Sequence, residues 1–226
     1  PELSVSPIIS LLAACAVLSL AAATPAAAGE PAERPGFPPC ADADAHPALG
    51  DTRCAQLAVP LDHGAPATGT IDLVVRKFPA RGAATGELWL IAGGPGESGA
   101  SFYPFIDRLR AAAPGFDLIV PDHRGTGLST RLCPSEESAD SAGGMALEGA
   151  EWGSCIGALH ADPQRTQAFT IGNAARDVSL LMDRHGGDTR RYLYGVSYGT
   201  QLILRTLAVA PPERLDGVIL DSLVPA

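Results

Sequence analysis

The run Gly195-Val196-Ser197-Tyr198-Gly199 sets one serine between two glycines, each two residues away. A serine hydroxyl is a poor nucleophile until a base takes its proton. The G-x-S-x-G spacing supplies the presentation such chemistry needs when it joins a strand to a helix. The turn is then so sharp that the positions two before and two after the serine crowd each other, and glycine relieves the clash. Arg191 to Tyr194 reads as a strand and Thr200 to Ala210 as a helix, so the motif has that context. Ser197 is the candidate nucleophile for acyl transfer. The competing reading is an ordinary glycine-rich strand-to-helix turn.

Acyl transfer also needs two backbone N–H groups aimed at the developing oxyanion. One comes from the residue after the nucleophile, here Tyr198, and the other from the loop after the third strand. That loop reads Gly93-Gly94-Pro95-Gly96-Glu97-Ser98-Gly99. It lacks the G-K-[ST] ending of a phosphate loop and does not match the G-x-G-x-x-G dinucleotide fingerprint. A third motif, Asp122-His123-Arg124-Gly125-Thr126-Gly127, ends the fourth strand. Asp122 and Arg124 read as the brace of a structural turn rather than as catalytic groups, with Arg124 in a position to border the substrate.

Three such motifs at strand ends require a scaffold of strands and crossover helices. Gln56–Leu61, Thr70–Phe78, Glu87–Ala92, Phe116–Val120, Arg191–Tyr194 and Gly217–Leu220 read as strands. Helices are expected at Ser101–Ala112, where Phe102, Phe105, Ile106 and Leu109 recur at helical spacing, at Asn173–His185 with Asn173 as cap, and at Thr200–Ala210. Residues 131–171 read as irregular. Apolar strands alternating with helices predict an α/β fold: a mostly parallel sheet, helices on both faces, and ligands beyond the strands' carboxyl ends.

The 226 residues carry a formal net charge of −9, with 46% hydrophobic and 18% charged residues. An acidic chain with no basic patch argues against a nucleic-acid partner. Residues 7–28 are uncharged and end in Ala26-Ala27-Ala28, which reads as a secretory segment with a small-residue cleavage site over 1–28. Membrane contact is then expected only through this segment; a membrane anchor and lipoprotein attachment at Cys15 are the alternatives. Residues 29–53 read as an extended leader, and 54–226 as the folded domain. Export leaves Cys40, Cys54, Cys133 and Cys155, which allow three pairings. Nearness in sequence favours Cys40–Cys54 and Cys133–Cys155. No cysteine or histidine has metal-ligand spacing, so no metal and no cofactor are implied.

Taken together, GGPGESG, DHRGTG and GVSYGT resemble α/β-hydrolase enzymes of the proline iminopeptidase and secreted tripeptidyl aminopeptidase group. The resemblance covers about residues 37–226. VPLDH, Cys133 and the Ala175-Arg176-Asp177 helix are like the secreted members. It implies Ser197 as nucleophile, and Tyr198 with Gly94, or Gly93, as oxyanion donors. It implies a peptide or small ester as substrate. Glu97 departs from the group, where glycine is common, and a side chain there narrows the acyl-site entrance. In this fold the order is serine, then acid, then histidine. All five histidines, His46, His63, His123, His160 and His185, precede Ser197. The chain therefore reads as the N-terminal part of such an enzyme, ending after about the sixth strand, with acid and histidine downstream. An inactive truncated fragment and a carboxylic-ester hydrolase are the other readings. His123 is the nearest candidate for a substitute base, His185 reads as a helix C-terminal cap, and His46, His63 and His160 read as solvated. An open sheet edge after the sixth strand predicts a chain prone to aggregate on its own.

Overall fold

A computed structural model describes residues 36–45 and 49–225. The segment read as secretory, with Cys15, part of the stretch read as leader, and His46 lie outside these residues.

Six strands form one sheet: β1 (Arg53–Pro60), β2 (Thr70–Phe78), β3 (Gly86–Ile91), β4 (Phe116–Pro121), β5 (Arg190–Val196) and β6 (Gly217–Asp221). Their order is β1-β2-β4-β3-β5-β6. β1 pairs antiparallel with β2, and β2 with β4, while β3–β4, β3–β5 and β5–β6 are parallel. The parallel pairs follow from crossover helices: α1 (Ile106–Ala112), α4 (Ile171–His185) and α5 (Tyr198–Val209), with α2 (Glu151–Ala161) and α3 (Pro163–Ala168) inserted before α4.

Strand β3 is buried along its whole length, and each face of the sheet carries its own apolar layer. On one face Leu73, Val75, Trp89, Ile119 and Leu193 meet Val178, Leu181 and Met182 of α4 and Leu202 and Ile203 of α5. On the other, Phe78, Leu88, Leu90, Leu118 and Val120 meet Phe102 and Ile106. Helices on both faces of a mostly parallel sheet are what alternating apolar strands predict. At the β6 edge Val218 and Ile219 are 38% and 48% exposed.

Three local expectations need correction. Residues 131–171 hold two helices. Asp162 caps α3 by accepting from the Arg165 N–H, and Pro163 follows it. Helix α2 was legible in the spacing of Trp152, Cys155, Ile156 and Leu159, yet Trp152 and Ile156 point outward and only Cys155 is buried. At α4 the cap is Thr170, whose hydroxyl accepts from the Asn173 N–H. Asn173 itself lies buried in the first turn. The stretch read as one helix over 101–112 is a 3-10 helix over Gly99–Phe105, with Pro104 inside, followed by α1. Pro104 has no N–H to offer an α-helix.

Two disulfides, Cys40–Cys54 and Cys133–Cys155, join the neighbours in sequence. The first ties the stretch read as leader to β1, where Cys40 N–H donates to Thr52 O and Cys54 N–H to Pro38 O. The second spans 22 residues and holds α2. Opening a loop of that length should cost about 3 kcal/mol of stability. Thermal unfolding of a Cys133→Ser/Cys155→Ser variant is expected to show a midpoint lower by roughly 6–12 °C.

Candidate active site

Strand β5 runs into a turn at which Ser197 has φ 52° and ψ −121°. Few non-glycine residues adopt this region, and it persists only where surroundings enforce it. The surroundings here are explicit. The Ser197 N–H donates to the carbonyl of Asp221 (3.0 Å). Its own carbonyl accepts from the Thr200 N–H (2.9 Å) and the Thr200 hydroxyl (2.6 Å). A Cβ on Gly195 would stand 2.7 Å from the carbonyl oxygen of Gly199, and one on Gly199 would stand 2.4 Å from that of Ile91. The glycines are thus dictated by sterics, as the spacing predicted: α5 lies directly on the end of β3.

The loop after β3 passes beside this turn. A Cβ on Gly93 would lie 3.2 Å from Val196 O and 3.4 Å from the Cβ of Ser197. Gly94 has φ 103°, and a Cβ there would lie 2.8 Å from the nitrogens of Gly96 and Glu97. Gly93 therefore neighbours Ser197, with Gly94 one residue along. Tyr198 opens α5, so its N–H is among those that a helix leaves without an internal acceptor. The structure brings Gly93, Gly94, Ser197 and Tyr198 to one place.

Asp122 and Arg124 hold the loops around that place. Asp122 accepts from Gly99 N–H (2.7 Å), Ser98 hydroxyl (2.9 Å) and Leu128 N–H (2.8 Å). A Cβ on Gly127 would fall 1.9 Å from its carboxylate. Arg124 is buried and makes five bonds: two to Asp177, and one each to the carbonyls of Leu61, Ala168 and Pro60. All its donors are engaged, which makes it a brace.

Asp177, fully buried on α4, also accepts from His63 (2.7 Å). His63 is therefore not solvated, as its setting in a turn suggested. Its N–H donates to Asn173, whose amide donates to Asp62 and to Ala168 O. This cluster joins the turn after β1, the turn after β4 and α4. Sequence reading missed it, although Asn173, Asp177 and Leu181 follow each other at four-residue spacing, so Asp177 sits on the apolar face where a lone carboxylate needs a partner. His185 is likewise buried rather than at a surface, edge-on to Phe37 at 5.4 Å. His160 is exposed, but on α2.

His123 makes no hydrogen bond to Ser197. Its Nδ1 bonds the carbonyl of Arg124 (3.2 Å), so Nδ1 carries the proton. Its Nε2 is buried without a hydrogen-bond partner. Burial lowers its pKa, against smaller opposing effects of Arg124 O, Asp122 and Asp177. The fold thus favours neutral His123 and loses stability as pH falls below the unfolded value near 6.5. Melting temperatures measured between pH 7 and 5 are expected to fall less steeply in His123→Gln than in the parent.

Cys40, Asp42 and Cys54 lie together, but the sulfurs are bonded to each other and Asp42 pairs with Arg76. Two clefts flank the turn. One, of about 250 Å³, is bordered by Pro95, His123, Phe169 and Tyr198. The other, of about 420 Å³, is bordered by Glu97, Phe102, Leu109 and Val196.

Residues 88–225 match the family described as alpha/beta hydrolase fold. The chain is 30% identical over 213 residues to the serine protease Hip1 of Mycobacterium tuberculosis (strain ATCC 25618 / H37Rv), covering 87% of this chain and 40% of that protein. It is 37% identical over 87 residues to carboxylesterase B of the same strain, covering 34% of this chain and 16% of the esterase. The chain thus spans about 40% of the length of the curated serine protease it matches. Among solved structures, a proline iminopeptidase-related protein from Thermus thermophilus superposes with a TM-score of 0.45 at 22% identity, covering 74% of this chain and 44% of that one.

Proposed function

Because this chain belongs to the alpha/beta hydrolase fold family, we propose that it is the N-terminal part of an exported serine hydrolase of the aminopeptidase type, working through an acyl-enzyme on Ser197. The observation that carries the reading is the backbone of Ser197, held at φ 52° between two glycines that admit no Cβ. Such a turn costs stability and presents a hydroxyl at the mouth of the sheet.

In the proposed reaction the Ser197 oxygen attacks the acyl carbonyl while its proton passes to a base. The carbonyl oxygen, now anionic, is held by the N–H groups of Tyr198 and of Gly94 or Gly93. Collapse expels the amine, which takes the proton back from the base, and leaves the acyl group on Ser197. Water, deprotonated by the same base, then releases the acid and restores the hydroxyl. We assign base and acid to parts of the natural protein beyond these residues, since acid and histidine follow the serine in this fold and His123 makes no hydrogen bond to Ser197. The proposed chemistry uses no metal or cofactor. Export, with residues 1–28 removed, is supported by the uncharged segment ending in three alanines and by two disulfides. Carboxylic-ester hydrolysis is a second reading, supported by the match to a protein named carboxylesterase B.

The test is to treat the natural full-length protein with a fluorophosphonate and map the adduct. An adduct on Ser197, with peptide arylamides cleaved faster than simple esters, is the expected result. Esters cleaved and arylamides untouched would favour the second reading. No adduct on a folded sample would mark an inert protein.

A further inference from the structure

Glu97 is the one side chain of the loop beside Ser197 that carries charge. Its carboxylate reaches back over the loop. The position that a Cβ on Gly93 would take lies 3.2 Å from Glu97 Oε2 and 3.4 Å from the Cβ of Ser197. Carboxylate and nucleophile thus flank the same point. Glu97 also borders the cleft of about 420 Å³, with Phe102, Leu109, Tyr194 and Val196 as its apolar walls. Val196 directly precedes Ser197, so this cleft adjoins the nucleophile on the α1 side. A second carboxylate stands behind it: Asp221 accepts from the Tyr194 hydroxyl at 2.6 Å and from Ser222 at 3.1 Å. These bonds, Tyr194 first, hold Asp221 below the usual carboxylate range. Arg108 lines the cleft too and, like Glu97, is exposed, but it stands on α1 rather than on the loop at Ser197.

We infer that Glu97 makes this cleft selective for acyl groups bearing a positive charge. The inference rests on the serine-hydrolase reading above and adds the chemistry of the acyl group to it. A carboxylate at the edge of an apolar cleft has no covalent task in that reaction. What it offers is a charge-assisted bond to an ammonium or guanidinium while apolar walls take the rest of the acyl group. The cation could be the free α-ammonium of an N-terminal residue or the end of a basic side chain, and substrates can tell these apart.

The experiment measures kcat/KM of the natural full-length protein for three arylamides: leucine, N-acetyl-leucine and N-acetyl-lysine. Leucine favoured over N-acetyl-leucine identifies the α-ammonium; N-acetyl-lysine favoured over N-acetyl-leucine identifies the side chain. In either case Glu97→Gln is expected to cut the cationic-to-neutral ratio about tenfold, the scale of one charge-assisted contact in a partly open cleft. Glu97→Lys should push the ratio lower still. Ratios equal in parent and Glu97→Gln for both pairs would overturn the inference. Fluorophosphonate labelling separates the two levels. A protein labelled on Ser197 but indifferent to charge defeats only the role of Glu97, whereas an unlabelled folded protein defeats both.

Discussion

Replacing Ser197 by alanine is expected to abolish fluorophosphonate labelling and to lower kcat/KM of the natural protein by roughly 10⁴–10⁶-fold, the range seen when a catalytic serine is removed from a working triad. The argument is geometric. The Cβ of Ser197 stands beside Gly93 where β5 meets the loop of Gly93 and Gly94, and the N–H of Tyr198 serves an oxyanion only if the attacking atom is at position 197. The alanine variant should fold and melt like the parent within about 0.5 kcal/mol, because its Cβ suffers the same φ of 52° and the backbone bonds to Asp221 and Thr200 remain. Glycine at the same position separates function from stability. It accepts this backbone freely, so Ser197→Gly should be equally inactive yet about 1–2 kcal/mol more stable, the strain relieved less the entropy of an added glycine. An alanine variant that still turns over arylamides would end the acyl-enzyme reading, and a glycine variant that melts lower would mean the turn is not strained.

The strained turn was legible in the sequence because its cause is local. Gly195 crowds the carbonyl of Gly199 within five residues of chain, and that clash alone announces the turn; the pressure of Gly199 on the Ile91 carbonyl at the end of β3 is long-range and shows only in the fold. The same holds for the strands: β3 and β4 are short apolar runs whose two faces are both covered, and such runs declare themselves. The disulfide partners were near neighbours. What escaped was whatever depended on long-range pairing. His63 looked solvated because its turn is polar, yet its partner lies 114 residues away on α4. Helix α2 carries Trp152, Cys155, Ile156 and Leu159 at helical spacing, but that stripe marks no core face: Trp152 and Ile156 face outward and the disulfide at Cys155 does the anchoring. The cap of α4 was misassigned because Thr170 and Asn173 are both good capping residues, and Asn173 is drawn into the cluster beneath the turns by Asp62 and Ala168.

That hidden cluster should carry the largest stability effect in the fold. Asp177→Ala is expected to destabilise the protein by about 3–5 kcal/mol, because it strands the guanidinium of Arg124 in a site where that side chain is 2% exposed. A domain of this kind has on the order of 5–15 kcal/mol to lose. The carbonyls of Leu61, Ala168 and Pro60 would still accept from Arg124, but none supplies the opposing charge. The damage should spread to the site along a traceable route. Arg124 fixes the turn after β4, the neighbouring Asp122 in that turn fixes Gly99 and Ser98, and those residues end the loop that brings Gly93 beside Ser197. Denaturant unfolding measures the first effect and the rate of fluorophosphonate labelling under native conditions the second. Both are expected to fall in Asp177→Ala, with Asp177→Asn intermediate because the amide oxygen still accepts one bond. Stability lost with the labelling rate unchanged would mean that the brace and the nucleophile are independent, and that the loop keeps its shape without Arg124.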